Sequence, residues 1–179
     1  LWSKAGENLF AGKDDAMGLS PLAYQAIGGL MHSAESLCAI TNPTVNSYNR
    51  INAPVTMSGA TWSPNTVTYG GNNRTHMIRG KTNLLQAAVQ VAVLDGIAEK
   101  RDPGKRLDIN MYTHGHTVEG ARKLPLNLLD ALRALGQSSV LEKGLGKDVV
   151  SAYIKLRQAD WTAYASHLTD WERQNTLDC

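Results

Sequence analysis

Two cysteines in 179 residues are too few for a disulfide framework. Cys38 falls inside an apolar helical pattern and Cys179 is the last residue. They read as one buried thiol and one loose terminal thiol, in a reducing, cytoplasmic compartment. Long hydrophobic runs are also missing. None approaches the ~20 residues that cross a bilayer, so a soluble chain with no membrane partner is expected. Charge of one sign is scarce: 18 Lys and Arg against 16 Asp and Glu leave +2. No basic run marks a nucleic-acid partner. There is no P-loop and no GxGxxG. No charged stretch followed by an apolar one marks a signal peptide, and the start at Leu-Trp-Ser rather than Met suggests a fragment or a processed chain.

What remains is a 19.4 kDa chain, 42% hydrophobic and 19% charged. That composition suits one domain with a sizeable core, and excludes disordered and collagen-like classes. Residues 1–19 read as loop or edge structure, with a turn-like cluster at Gly12-Lys13-Asp14-Asp15. Ser20 and Pro21 then start a helix as N-cap and first helical residue. Leu22, Ile27, Leu30, Met31, Ala34, Leu37 and Cys38 keep helical spacing up to about Thr41, where Asn42 precedes Pro43. A second helix is expected over about Thr82–Lys100, ended by Asp102-Pro103-Gly104. Residues 101–124, with His114 and His116, read as a surface excursion. Pro125 opens a third helix, and Leu145–Gly146 is a break. The last helix is expected over about Lys147–Arg173. Its stripe of Val150, Tyr153, Ile154, Trp161, Tyr164, Leu168 and Trp171 reads as core packing or an oligomer contact.

The block from 42 to 81 has a different character. Asn, Thr, Ser, Gly and Pro dominate it, with β-prone pieces at Pro54–Met57, Thr66–Tyr69 and Arg74–Arg79. Arg50, Arg74 and Arg79 lie in a stretch, 42–79, without one Asp or Glu. Guanidinium groups bind carboxylate and phosphate oxygens through paired hydrogen bonds, so an acidic substrate or a nucleotide is a natural ligand. The bland alternative is that these arginines pair with acids elsewhere, such as Asp95 or Asp108, or stand in solvent.

The segment Asn42-Pro-Thr-Val-Asn-Ser-Tyr-Asn-Arg50 resembles the NPT-x-NSY-x-R signature of glutamine synthetases. Asn73–Arg79 is similar to the N-R-x-x-x-x-R segment that follows it in those enzymes. The likeness extends through Gly18–Tyr24, Ile27–Gly29, Lys123–Leu132 and Leu168–Glu172, and so covers nearly the whole chain. Ile51–Trp62 and Thr176–Cys179 resemble most the type III-like (GlnT-type) branch, related to γ-glutamylmethylamide synthetases. The implied fold class is α+β: the helical C-terminal portion of the catalytic domain, residues 1–179, with part of its antiparallel sheet. The implied activity is ATP-dependent ligation of ammonia or methylamine to the γ-carboxylate of glutamate through a γ-glutamyl phosphate. By the same resemblance Arg50 holds the glutamate carboxylate. Arg74 is the catalytic residue, bridging glutamate and the transferred phosphate, and Arg79 contacts ATP. Asn46, Ser47 and Tyr48 shape the loop. The implied partners are the small-molecule substrates and further copies in a homo-oligomer. The implied cofactor is Mg2+ or Mn2+, with its ligands outside this chain.

The chain departs from the family pattern in three places. A His-x-His segment and the metal-binding glutamates lie, in the family, ahead of the stretch matching Leu1-Trp2-Ser3. An Arg-x-Glu-x-Arg strand should follow the segment matching Arg79, yet here Gly80-Lys-Thr-Asn83 leads straight into a helix. Asn52 stands before Ala53-Pro54 where many members carry a catalytic Glu. The missing strands leave a sheet edge unpaired, so poor solubility is expected of the 179 residues alone. Two other functions compete with the ligase portion. One is a non-catalytic remnant that binds a partner subunit. The other is a small anion-binding module using the three arginines.

Overall fold

The computed structural model of the chain describes residues 1, 3–51, 65–70 and 83–175; the side chains of Arg50, Asn83, Leu84, Leu85, Tyr112, Thr113 and His116 are outside that description. Among the described residues the helices follow the order α1 (Pro21–His32), α2 (Ala34–Thr41), α3 (Val45–Ile51), α4 (Asn83–Ala98), α5 (Met111–His114), α6 (Leu128–Gly136), α7 (Ser139–Leu145), α8 (Lys147–Ala165) and α9 (Asp170–Asn175), with a 3-10 turn at Gly115–Thr117.

The capping chemistry places the starts. Ser20 has extended backbone and its hydroxyl accepts from the Ala23 N–H, with Pro21 leading the helix. The Asn127 side chain caps α6 through the Asp130 N–H, two residues after the expected start at Pro125. Ser138 caps α7 through Leu141. Thr169 and Glu172 form a reciprocal capping box ahead of α9. That box divides the expected last helix into α8 and α9. The Ser138 cap likewise divides the expected third helix into α6 and α7. The expected second helix is Asn83–Ala98, closed by Lys100 at φ +49° and a bond from the Arg101 N–H to the Gly96 carbonyl.

The helix expected to run unbroken to Thr41 stops at Ser33. The Arg122 guanidinium donates to the carbonyls of Met31 and His32, and pairs with Glu35 at 2.9 Å. A partner some ninety residues away thus takes carbonyls at the helix end, and α2 restarts at Ala34.

The core forms where α2 lies against α6 and α4, α4 against α7, and α6 against α8. Leu37, Cys38, Ala39, Ile40, Tyr48, Ala88, Ala92, Leu128, Leu132, Leu135, Leu141 and Val150 are buried together. The α1–α4 crossing is unusually close. Gly29 and Gly96 face each other with no room for a methyl group on either. Consequently α1 buries Ala23, Ala26, Gly28 and Gly29, whereas the larger Leu22, Ile27, Leu30 and Met31 are half-buried, the last two packed on the core. Of the C-terminal stripe, Val150 is buried and Tyr153, Ile154 and Trp161 pack on the core, but Trp171 is 66% exposed. Tyr164 and Leu168 are exposed as well.

The expected sheet is reduced, among the described residues, to two isolated antiparallel bridges, Ala11 with Leu19 and Thr66 with Lys123. The expected strand at Thr66–Tyr69 is buried, extended backbone. It exchanges bonds from Val67 N–H to Arg122 carbonyl and from Leu124 N–H to Asn65 carbonyl. The described part is therefore mostly helical, as expected of the helical portion of the domain, and of the expected sheet it shows only these bridges. The pieces at Pro54–Met57 and Arg74–Arg79 lie outside the described residues. The excursion over 101–124 contains α5 and the 3-10 turn. Among the described residues no helix is long and apolar enough to cross a membrane.

Candidate functional site

The Asn42–Arg50 segment, read from composition as a loop, is mostly helix. After Pro43 the chain turns at Thr44, whose carbonyl accepts from the Ser47 N–H and whose hydroxyl lies 2.9 Å from that of Ser47. Helix α3 then carries Tyr48 and Ile51, three residues apart, into the core. Tyr48 is 2% exposed and its hydroxyl donates to the Cys38 carbonyl of α2 at 3.2 Å. Burial pushes the Tyr48 hydroxyl pKa upward, so it stays a neutral donor. From the other side, Tyr153 of α8 donates to the Ala39 carbonyl at 2.8 Å. Two tyrosines thus pin α2 from α3 and α8, and fix the backbone that presents Arg50. Tyr48 is thus bonded into the core from a segment that is helix where it was expected to shape a loop. Sequence reasoning gave Tyr153 only a place in an apolar stripe, because its bond spans 114 positions.

The Arg50 backbone lies in α3, and its side chain is outside the described residues, as are Arg74, Arg79 and His76. The alternative partners named for these arginines are engaged by others. Asp95 pairs with Arg101 at 2.6 Å, and Asp108 with Arg106 at 2.8 Å. Asp95 belongs to a wider cluster in which an Arg101 Nη1 lies 3.4 Å from His32 Nδ1. Desolvation, and then the Arg101 charge, hold the His32 pKa below the usual imidazole value. Cys38 is buried, and desolvation pushes its thiol up to about 12, which leaves it no nucleophile.

A divalent ion implied by the resemblance needs several oxygen ligands, usually carboxylates. Fifteen of the sixteen Asp and Glu residues are described; only Asp178 is not. Among the described residues no three His, Cys, Asp or Glu side chains come together in a way that could hold a metal. Several carboxylates are already committed: Glu35 to Arg122, Asp130 to Arg133 and Asp160 to Arg157. Asp15 accepts from the Met17 and Leu19 N–H groups and from the Tyr24 hydroxyl. The described residues therefore do not by themselves fit the implied metal, in keeping with ligands expected outside this chain.

Comparison with known proteins follows the same lines. The profile of the glutamine synthetase catalytic domain matches in two pieces, residues 1–83 and 80–176. A glutamine synthetase of Rhizobium leguminosarum bv. phaseoli is 52% identical over 99% of this chain and 45% of its own length. A glutamate–methylamine ligase of Methyloversatilis universalis is 37% identical over 96% of this chain and 43% of its own. Among solved structures, a GmaS in complex with ADP superposes with a TM-score of 0.90 at 55% identity, over 99% of this chain and 44% of that one. The chain therefore spans less than half the length of the relatives it matches.

Proposed function

The chain belongs to the glutamine synthetase catalytic-domain family, and from that premise we propose that it forms the substrate-gripping part of a glutamate–amine ligase site. The observation that carries this reading is the Asn42–Arg50 signature, held rigidly on α3 by Tyr48 in a chain 52% identical to a glutamine synthetase. In the proposed reaction a γ-carboxylate oxygen of glutamate attacks the terminal phosphorus of ATP, and ADP leaves. Ammonia, or methylamine, then attacks the acyl carbon of the γ-glutamyl phosphate. Phosphate leaves with the electron pair of the broken C–O bond, and the nitrogen loses a proton. Negative charge crowds on neighbouring oxygens throughout, and fixed guanidinium groups stabilise it most where it develops. Arg50 is assigned to the glutamate carboxylate, Arg74 to glutamate and the transferred phosphate, and Arg79 to ATP. The ADP held by the related GmaS supports a nucleotide ligand, and relatives acting on ammonia and on methylamine leave both amines as candidates. The proposed enzyme is larger than this chain, which spans less than half the length of its relatives, and is proposed to be a homo-oligomer.

Calorimetric titration of glutamate and ADP tests the assignment. Arg50→Ala should weaken glutamate about 10- to 100-fold, the worth of a charge-assisted pair, and leave ADP within about twofold. Unchanged glutamate affinity refutes the role of Arg50. In the protein as its source makes it, γ-glutamyl hydroxamate formation from glutamate, ATP and hydroxylamine reports turnover.

A second reading, the partner-binding remnant, draws on the two-piece family match and on the exposed Leu156, Leu168 and Trp171 at the C-terminal end. Ligand binding without turnover, together with a stable complex with a longer relative, would support it.

A further inference from the structure

Between α3 and α4 the described residues are 65–70, and they are gripped at both ends. At the first end the Val67 N–H donates to the Arg122 carbonyl at 2.9 Å, and the Asn65 carbonyl accepts from the Leu124 N–H at 2.8 Å. At the second end Tyr69 makes three contacts of its own. Its carbonyl accepts from the Leu107 N–H at 3.3 Å, and its hydroxyl donates to the Gly104 carbonyl at 3.0 Å. Its ring meets that of Tyr24 edge-on, with centroids 6.2 Å apart. Tyr69 is buried. Desolvation first, then the Asp102 charge, push its hydroxyl pKa upward, so it stays a neutral donor.

The frame behind this grip is tightly built. The Asp102 carboxylate accepts from the Gly104 N–H at 2.8 Å, and Gly104 adopts φ +78°, which makes the turn whose carbonyl Tyr69 takes. Just before the turn, the Arg101 carbonyl lies against Gly28 of α1 with no room for a methyl group. Tyr24, on the same helix, is tied through its hydroxyl to Asp15 at 2.9 Å. The Asp102-Pro103-Gly104 motif thus does more than end α4: it carries the acceptor for a tyrosine 35 positions away. Arg74, assigned above to glutamate and the transferred phosphate, follows Tyr69 by five positions. Five residues reach at most about 18 Å. The anchoring of Tyr69 therefore limits where the Asn73–Arg79 segment can act, and a small misplacement of a binding group is costly.

We propose that Tyr69 is a positioning residue of the ligase site, which fixes, through the Gly104 turn, Leu107 and Tyr24, the point from which the chain runs into the Asn73–Arg79 segment. The inference rests on the role proposed for Arg74, and it does not require Tyr69 to touch substrate.

Calorimetric titration of glutamate into the protein as its source makes it tests this, because affinity and the number of competent sites are read separately. Tyr69→Phe keeps the ring and the carbonyl and removes the bond to Gly104. It should weaken glutamate about 3- to 10-fold, the worth of one neutral hydrogen bond, with the stoichiometry unchanged. A purely structural role lowers the stoichiometry and leaves the affinity alone; that result overturns the proposal, as does no change in either. Gly104 offers a second series that leaves Tyr69 intact. Among the described residues no atom stands within 4 Å of a methyl group added there, so Gly104→Ala strains only the backbone. Gly104→Asn, more tolerant of positive φ, strains it less. Glutamate affinity should fall in the order Gly, Asn, Ala, and equal affinity in all three overturns the proposal. Arg74→Ala separates the inference from the reading beneath it. If Arg74→Ala weakens glutamate and Tyr69→Phe does not, only the role of Tyr69 fails. If Arg74→Ala leaves glutamate unchanged, or the parent binds none, the assignment of Arg74 fails and the inference with it.

Discussion

Replacing Gly96 by alanine should destabilise the chain, although alanine is the better helix former. A methyl group at 96 would sit 2.6 Å from the Gly29 Cα and closer still to the Gln25 carbonyl oxygen. Both obstacles are backbone, so no rotamer relieves them. Helices α1 and α4 would have to part by about 1 Å, and a gap of that size forfeits up to about half of each dispersion contact across it. The loss falls on the small buried residues of the crossing, Ala23, Ala26 and Ala92. Overpacking of this kind costs about 1–3 kcal/mol, and the intrinsic preference for alanine returns about 1 kcal/mol. With backbone on both sides the upper end applies, for a net loss of about 2 kcal/mol, or about 4–8 °C in Tm for a chain of this size. The control is Gly136→Ala at the end of α6, where the added methyl meets Ile154 Cδ1 at 3.6 Å, an ordinary contact. That variant should melt at or slightly above the parent. Thermal unfolding followed by circular dichroism reads both. If Gly96→Ala melts no lower than Gly136→Ala, the close crossing is not what joins α1 to α4.

Further outcomes follow from the same geometry. Tyr48→Phe should cost about 0.5–1.5 kcal/mol by denaturant titration, because the Cys38 carbonyl keeps its bond from the Asn42 N–H and only the tyrosine hydroxyl is lost. Hydrogen bonds from Met17 N–H, then Leu19 N–H and the Tyr24 hydroxyl, hold the Asp15 pKa below its ordinary 3.8. Its contribution is therefore present above about pH 4 and lost as pH falls through the depressed value. Asp15→Asn should flatten that acid limb in melting curves taken between pH 2 and 5, and an unchanged limb would show that the loop does not depend on this carboxylate. Cys38 should resist iodoacetamide at pH 8 until denaturant is added, as read by peptide mass, because its thiol is buried and held up to about 12. Leu156 and Trp171, 58% and 66% exposed, should drive self-association of the 179-residue chain; a monodisperse monomer in sedimentation would argue against it.

Local chemistry was legible in the amino-acid sequence. Ser20 with Pro21 marks a helix start because a cap is completed within three or four residues of itself, and the structure uses both as expected. The Asn42–Arg50 signature carried the family for the same reason: nine adjacent residues suffice to identify it. The acid-free stretch around Arg50, Arg74 and Arg79, and the direct passage from Arg79 into a helix, are likewise properties of the chain read in order.

Tertiary structure decided what depends on distant partners. The helix break at Ser33 was not expected from the pattern around it; there the Arg122 guanidinium, from ninety positions away, donates to the His32 carbonyl. The Asn42–Arg50 segment is rich in turn formers, yet it becomes helix because Tyr48 and Ile51 find a buried place against α2 and α8. Larger residues of α1 are left half-buried while glycine and alanine take the centre, because α4 approaches too closely for anything bulkier. The partners of Asp95 and Asp108 were set in the same way, by which arginine the fold brings within reach. Capping and motif identity are short-range and written in the chain; helix breaks, core membership and charge pairing are long-range, and only packing assigns them.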